Sequence, residues 1–365
     1  MLVIELLQVA LDIRTGLSYV PAAEEWEDAF AISKRHAIAG VLFGGIEKLS
    51  PPQRPPIGVL LEWIGVAEYQ QTLHQAQRTT VRALVELWNG EGIHTIELKG
   101  ASVGRHYPRP ELRFSCDFDC FLIKEDNGEI HGAYEQGNRA VERIGVKVNR
   151  EFYKNSSFIF RNSATDKGIN VENHQFCCPV RGNRAMKRLE KALRKLLAES
   201  IHMPQPTQAT YHPISQFNAL FLMEHMWAHF FEEALTLKQV CDWLVFRRHC
   251  SAGVDWALFE HEAKACGFWQ FAVAMNKIAD TLLSGNGNTI DSISQRLDAT
   301  ELRLWHDILS VGGHIEMNHG WKTRFQLIEN YFRNGWKYRS FAPHGPWFTL
   351  LRTSIAYIID RKPKL

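Results

Sequence analysis

Two aspartates stand in a segment that otherwise has the composition of a buried β-strand. Asp117 and Asp119 lie within "SCDFDCFLI", among cysteine, phenylalanine, leucine and isoleucine. Side chains alternate between the two faces of a strand, so both carboxylates share one face while Phe118, Cys120 and Leu122 lie on the other. Carboxylates in apolar surroundings need compensation, either from water at an edge strand or from a bound cation. The pair by itself leaves both interpretations open.

A second strand-like segment, "INVENHQF", carries another acid where an apolar residue is expected. Alternation places Asn170, Glu172 and His174 on one face of this strand. If the two strands are neighbours, Glu172 joins the aspartate pair and three carboxylates converge. Oxygen ligands of this kind suit Mg²⁺, and a two-metal phosphoryl-transfer site holds its cations about 4 Å apart between such carboxylates.

The segment "ELKGAS" upstream has the residue types that a phosphate site requires. Gly100 permits a close backbone approach, and a helix that starts near Ala101 or Ser102 would direct N–H groups at an anion. Lys99 would supply a point charge for phosphate oxygens. The alternative interpretation is an ordinary surface lysine before a turn.

The order of these motifs resembles a known family. "LKG", "YPRPELR", "DFD" and "VENH" follow one another as in the uncharacterised nucleotidyltransferase family of the polymerase-beta-like superfamily. The flanking "EEWEDAFAISKRHAIAGVLFGGIEKL" and "FLMEHMWAHFFEEALTLKQVCDWLVF" resemble the helical regions of that family. The resemblance implies an α+β fold, in which a small mixed-sheet nucleotidyltransferase core is flanked by N-terminal and C-terminal helical regions.

The resemblance also implies roles for individual residues. Asp117, Asp119 and Glu172 would hold Mg²⁺ or Mn²⁺ and act as the catalytic acids. ATP or another nucleoside triphosphate would be the donor, and its binding residues would be Lys99, Gly100, Ser102, Arg113 and His174. The sequence differs from the superfamily in having Lys-Gly-Ala-Ser where Gly-Ser is common, and in having glutamate as the third acid.

Two further sets of residues could bind metal or substrate. His225 and His229 are spaced i and i+4, on one face of a helix, which is a zinc-binding spacing, but the order of residues is not H-E-x-x-H. They could instead form a polar stripe that faces a cleft, and there either could orient or deprotonate an acceptor.

We do not expect a zinc site from the cysteines. Adjacent Cys177 and Cys178 cannot easily both bind one ion, and Cys120 faces away from His174.

The periodicity of the sequence predicts three parts. Residues 1–88 form an N-terminal helical region, in which "SPPQRPPIG" precedes a long helix that Gly90 and Gly92 end. Residues 89–180 contain the alternating segments and form the α/β core, with "NGEIHGAYEQGNRAVERIG" as a polar helix and a turn. Residues 181–365 form a C-terminal helical domain, whose longest helix is predicted over "ISQFNALFLMEHMWAHFFEEALTLKQVCDWLVFRR".

The composition of the chain indicates which kinds of partner and which cellular compartment to expect. The 365 residues carry a formal charge of +2, with 45% hydrophobic and 22% charged residues, so we expect a globular protein without an electrostatic footprint for nucleic acid. The N-terminus lacks the basic region of a signal peptide, and Arg352 interrupts the best candidate for a membrane span, "WFTLLRTSIAYII". Seven scattered cysteines favour the reducing cytoplasm over a disulfide framework.

The acidic strands and the phosphate turn, together with the resemblance to that family, imply a Mg²⁺-dependent nucleotidyltransferase. It would transfer a nucleoside monophosphate from a nucleoside triphosphate to a small-molecule, peptide or protein acceptor. The departures in the phosphate turn and third acid motivate an alternative, a catalytically reduced protein that binds nucleotide or a protein partner without turnover. A helical interaction protein with an incidental aspartate pair is a further alternative.

Overall fold

A computed structural model describes most of the chain. The described residues are 2–162, 168–181, 183–203, 210–232, 234–285, 293, 295–310 and 334–342. They form thirteen helices and one five-stranded sheet, which confirms the predicted α+β class. The interrupted apolar segment around Arg352 lies outside these residues. No helix in the described ranges is both long enough and apolar enough to cross a membrane.

Four helices precede the sheet. The first is so apolar that every one of its nine residues is buried. The proline-rich segment separates the third helix from a 33-residue helix, which ends one residue before Gly90, with Gly92 at φ +71° just beyond. This confirms the predicted long helix and its end. The four are α1 (Leu2–Ala10), α2 (Ala23–Arg35), α3 (Ala39–Ile46) and α4 (Ile57–Asn89).

The sheet is mixed, because one of its strand pairs is parallel and the others are antiparallel. Its order is β1-β2-β5-β4, and the short β3 pairs with the far end of β2. The sequence predicted four of these strands but not β3, which occupies the start of the segment that we expected to be helical. The strands and their helices are β1 (His94–Glu97), α5 (Lys99–Gly104), β2 (Asp117–Asp126), β3 (Glu129–Gly132), α6 (Tyr134–Arg143), β4 (Asn155–Arg161) and β5 (Gly168–His174).

The two faces of the sheet have different surroundings. One face carries Phe118, Val171 and Phe158, which pack with residues of α4 and α6 in a compact apolar cluster. The opposite face is covered at Phe121 and Ile123, which belong to a larger cluster shared with the C-terminal helices. The acidic residues lie on this second face, and Asp117, Asp119 and Glu172 are only partly buried there.

Helices make up the rest of the described chain. They are α7 (Arg184–Ser200), α8 (Ser215–Glu232), α9 (Leu237–Cys250), α10 (Trp256–Cys266), α11 (Trp269–Leu283), α12 (Ala299–Leu309) and α13 (Gly335–Phe341). The single long helix predicted from "ISQFNALF" onwards is wrong, since α8 and α9 are separate. Thr236 has extended backbone angles, and its N–H donates to the Gln239 side chain at 3.0 Å, so a capping box begins a new helix there.

The N-terminal and C-terminal helices share a core. Residues of α1, α2 and α3 belong to the same large apolar cluster as residues of α8, α9 and α11. The Gln8 side chain donates a hydrogen bond to the Leu282 carbonyl at 2.8 Å, and His36 accepts one from the Leu237 N–H at 3.1 Å. The division of the chain into domains at 1–88, 89–180 and 181–365 remains a prediction. Helices of the first and third of these ranges pack against each other.

Candidate metal and nucleotide site

The two acid-bearing strands are neighbours. β2 and β5 pair in parallel, with Asp117 opposite Asn170 and Asp119 opposite Glu172. Because directly paired residues point to the same face of a sheet, the three carboxylates project from one surface. The apolar side chains between them, such as Phe118 and Val171, fill the cluster on the other face. The expectation that these strands meet is therefore confirmed.

Three of the side chains on this face could hold one cation. Asp119, Glu172 and His174 each present a ligand atom, and these atoms all lie within 4.8 Å of one another. His174 Nε2 is 2.9 Å from Asp119 Oδ1 and 3.6 Å from Glu172 Oε2. Asp117 is not part of this group of three. Its Oδ1 accepts a hydrogen bond of 3.4 Å from the Asn170 amide, at the margin of the cluster.

The ammonium group of Lys99 lies among these acids. Lys99 Nζ is 2.6 Å from Asp119 Oδ1 and 3.6 Å from Glu172 Oε2. Burial alone would raise the pKa of Asp119, but the Lys99 charge and the His174 hydrogen bond outweigh it and hold that pKa well below its usual range. Burial would likewise lower the pKa of Lys99, and the acids reverse this effect and raise it. The cluster is thus compensated by a side chain of the protein.

Lys99 reaches this position through an unusual backbone conformation. Its φ is +47°, in the left-handed region that non-glycine residues rarely adopt, and it is the first residue of α5. The helix therefore begins two residues earlier than the sequence predicted. A strained residue of this kind persists only where its surroundings fix it. Here the surroundings are the pair with Asp119 and the packing of Gly100.

The donor set fits a divalent cation once the ammonium has moved. Two carboxylates and one imidazole provide oxygen and nitrogen ligands, and nitrogen suits Mn²⁺ better than Mg²⁺, which prefers oxygen and water. Since Lys99 contacts the same oxygens, a cation and the ammonium would compete for Asp119. The group could bind a metal ion, and its occupancy by that ion depends on this competition.

The other predicted phosphate residues are engaged with helices behind the turn. The Ser102 hydroxyl is buried and accepts a hydrogen bond of 3.0 Å from the Asn218 amide on α8. Arg113 is buried, and its Nε and Nη2 donate to the two oxygens of Asp242 on α9 at 2.7 and 2.6 Å. A Cβ atom on Gly100 would lie 2.5 Å from this guanidinium. Glycine is therefore required at position 100 by the packing of Arg113.

His225 and His229 face each other on α8. Their Nε2 atoms are 3.1 Å apart, and their rings meet edge to face. Burial lowers the pKa of His225 well below its usual value, and the positive charge of Lys99 lowers it further. His225 is therefore neutral near pH 7 and lies within electrostatic range of the acidic cluster.

The sequence reasoning missed a lysine on α9. Lys238 is partly buried, and its pKa is lowered by burial and by Arg113, while Asp242, Cys116 and Asp117 act in the opposite direction. It therefore belongs to the charged surroundings of the aspartate pair. In the sequence, Lys238 stands four residues before Asp242, the aspartate that binds Arg113, and this spacing could have drawn attention to it. The spacing becomes informative only when it is known which strand α9 approaches.

A cavity adjoins the acidic face on the side of β4. Its volume is about 600 Å³, within the range of small-ligand sites. Ser157 and Asn170 line it, and their strand positions put them on the same face as Glu172 and Asp117. The remaining lining residues are Lys147, Val148, Asn149, Arg150, Glu151, Phe158 and Ile159.

All seven cysteines are free thiols. Cys120, Cys177 and Cys178 are buried, and burial is the main cause that raises the pKa of each well above its usual value. Cys178 Sγ lies 3.4 Å from the Met186 carbonyl, inside the C-terminal part of the core. These thiols are protonated near pH 7, which makes them poor metal ligands.

Comparison with known proteins supports the resemblance found in the sequence. The model of a family described as uncharacterised nucleotidyltransferase matches residues 22–284, more than two thirds of the chain. This range extends from α2 to the end of α11 and contains the whole sheet. No curated protein and no solved structure gives a match.

Proposed function

Because the chain belongs to the uncharacterised nucleotidyltransferase family, we propose that it transfers a nucleoside monophosphate from a nucleoside triphosphate such as ATP. The acceptor would be a hydroxyl or amine of a small molecule, peptide or protein. The observation that carries this proposal is the convergence of Asp119, Glu172 and His174 beside Asp117. The near-neutral charge of +2 favours such acceptors over a polynucleotide.

In this proposal the acids form the metal site. Asp119 and Glu172 bind Mg²⁺ or Mn²⁺ with His174 as a further ligand or a hydrogen-bonding neighbour, and Asp117 completes the acidic face. A cation bound there would neutralise the charge that develops on the phosphoryl oxygens. Lys99 would leave Asp119 and bind the donor phosphates. Gly100 leaves space for the Arg113 guanidinium behind the turn, and Ser102 and Arg113 hold the turn through their partners on α8 and α9.

The histidine pair on α8 is proposed to serve the acceptor. The neutral His225 imidazole can accept a hydrogen bond from an acceptor hydroxyl, and His229 contacts its Nε2. Orientation of the nucleophile is a large source of rate enhancement, so replacing either residue by alanine should lower the rate of transfer and leave donor binding intact. Unchanged transfer in both variants would remove this role.

We also propose a cytoplasmic location, on the basis of the seven free cysteines.

The decisive test changes the aspartate pair. The double variant Asp117→Asn and Asp119→Asn removes two negative charges at almost constant volume. We expect transfer of label from an α-labelled nucleoside triphosphate to fall by at least about a hundredfold, the scale of one lost electrostatic contact in a transition state. The circular dichroism spectrum should stay that of the wild type.

The control for this test is Asp126→Asn, at the exposed end of the same strand. It makes the same chemical change outside the acidic face, so transfer should remain at the wild-type rate. Transfer that persists in the double variant would overturn the metal-site assignment.

One observation favours the alternative of nucleotide binding without turnover. The Lys99 ammonium already compensates Asp119, so the acids do not require a cation for their stability. Under this alternative, a triphosphate with Mn²⁺ would raise the melting temperature, but no acceptor would become labelled. Labelling of any acceptor, including the protein itself, decides for the enzyme.

A further inference from the structure

Lys238 lies in the first turn of α9, beside the ring of Phe114. Its Nζ is 5.8 Å from the centre of the Phe114 ring, and it forms no hydrogen bond or ion pair with any residue that the structure describes. The N-terminal end of a helix carries partial positive charge, so an ammonium group is unfavourable at this position. Partial burial adds the cost of lost hydration. Both effects would be relieved by a bound anion.

The nearest acid on α9 is not available to Lys238. Asp242, one helical turn further along, accepts two hydrogen bonds from Arg113 and one of 2.7 Å from the Tyr107 hydroxyl. Tyr107 and Arg113 thereby occupy the carboxylate that would otherwise pair with Lys238. Lys238 instead faces the segment that enters β2, where Phe114 and Asp117 lie.

Lys238 also differs from the other lysine of the site. Lys99 is compensated by Asp119 and Glu172, so it contributes little net positive charge while it stays there. A nucleoside triphosphate brings more negative charge to this face than the acids already supply, and a metal ion offsets only part of it. The uncompensated charge of Lys238 is suited to the remainder, and a compact ammonium group binds phosphate oxygens well.

We propose that Lys238 binds the polyphosphate part of the donor, the group that leaves as pyrophosphate. This inference rests on the proposed function and extends it, because it assigns part of the donor site to the C-terminal helices. The donor would then be held between the acidic face of the sheet and the first turn of α9. The leaving group would contact a lysine that forms no ion pair with any described residue and lies beside the Phe114 ring.

The proposal predicts that removing the Lys238 charge does not destabilise the free protein but weakens the binding of pyrophosphate. Lys238→Met keeps most of the side-chain volume and removes the charge. Without ligand, the variant should melt at a temperature equal to or above that of the wild type, because an unpaired and partly buried charge has been removed. The affinity of the variant for pyrophosphate, the probe, should be about ten- to a hundredfold lower than that of the wild type, which is the effect of one charged hydrogen bond. A lysine with a purely structural role would give the opposite pattern.

Binding of pyrophosphate would be measured by calorimetry and by melting curves, with a chelator and with Mn²⁺. Lys238→Arg should retain binding, and Lys264→Met, which removes an exposed lysine paired with Glu260 on α10, should behave as the wild type. Unchanged affinity in Lys238→Met, or a wild type that binds no pyrophosphate in either condition, would overturn the proposal. Since this measurement needs no turnover, it is independent of the aspartate test, and either idea can fail alone.

Discussion

Lys99 determines the charge state of the acidic cluster. Its ammonium contacts Asp119 and Glu172, and His174 Nε2 donates a hydrogen bond to the same Asp119 oxygen. Without this lysine two carboxylates would share a partly buried surface, and their repulsion would be relieved only by protons or by a cation. The same residue is therefore a stabilising partner of the acids and would compete with a cation bound there.

This competition can be measured in Lys99→Met. In the absence of metal, loss of the ammonium should lower the free energy of unfolding by about 3 kcal/mol, which is typical for removing one partner of a buried pair. Mn²⁺ should then stabilise the variant more than the wild type, because no side chain has to be displaced. Urea denaturation with and without Mn²⁺ tests this.

The control for this prediction is Lys264→Met, which removes the exposed partner of Glu260 on α10. It should change stability by less than about 1 kcal/mol, as is usual for surface pairs, and should show no extra effect of Mn²⁺. Equal stabilisation of the wild type and Lys99→Met by Mn²⁺ would contradict the competition.

At the scale of elements, α9 and the segment before β2 are joined through buried charges. Arg113 makes two hydrogen bonds with Asp242, and the same carboxylate accepts from Tyr107. The guanidinium fills the space above Gly100, so the turn that carries Lys99 rests on this pair. Helix α9 thereby fixes the geometry of the site although it contributes none of the three clustered ligands.

A double-mutant cycle on Arg113 and Asp242 tests this link. Asp242→Leu should reduce the free energy of unfolding by about 3–5 kcal/mol, because the buried guanidinium loses its counter-charge. Combining it with Arg113→Met removes both charges, so the double variant should be more stable than the sum of the single effects predicts. Strict additivity in urea denaturation would show that the two side chains do not depend on each other.

Across the whole molecule, several histidines are kept neutral by burial. Burial is the main cause that lowers the pKa of His36, His74 and His225, and it lowers the pKa of His106 and His212 to about 4. They lie just after α2, in α4, in α8 and in loops around the sheet, so no single region accounts for the effect. These side chains therefore bind protons more weakly in the folded chain than in the unfolded chain.

Stability should therefore fall on mild acidification. Below the ordinary histidine value of 6.5 the unfolded chain binds more protons than the folded one, so the free energy of unfolding decreases as the pH falls. The decrease for His212 should end near its folded pKa of about 4, after a loss of about 3 kcal/mol from this residue. Asp119, whose pKa is also lowered, loses its contribution only at still lower pH.

Urea denaturation at about pH 7 and about pH 5 measures this dependence. His212→Gln should reduce the slope, because glutamine does not titrate in this range. A stability that stays constant between these two conditions would contradict the assignment of neutral buried histidines.

The sequence alone was sufficient wherever the determining interaction is local. Strand alternation placed Asp117 and Asp119 on one face and Phe118 on the other, and proline and glycine marked the limits of α4. These features follow from backbone geometry within a few residues. Even locally the prediction was incomplete, since the capping box at Thr236 that separates α8 from α9, and the short β3, were missed.

Only the tertiary structure decided which charges meet. The parallel pairing of β2 with β5 brings Glu172 to Asp119, and folding brings Asp242 to Arg113, 129 residues away. The position of Lys99 among the acids and that of Lys238 beside Phe114, with no ion pair to a described residue, also depend on how the helices pack on the sheet. Local patterns cannot encode these contacts, because electrostatic pairing depends on distance in space and on burial, and the packing of the whole chain sets both.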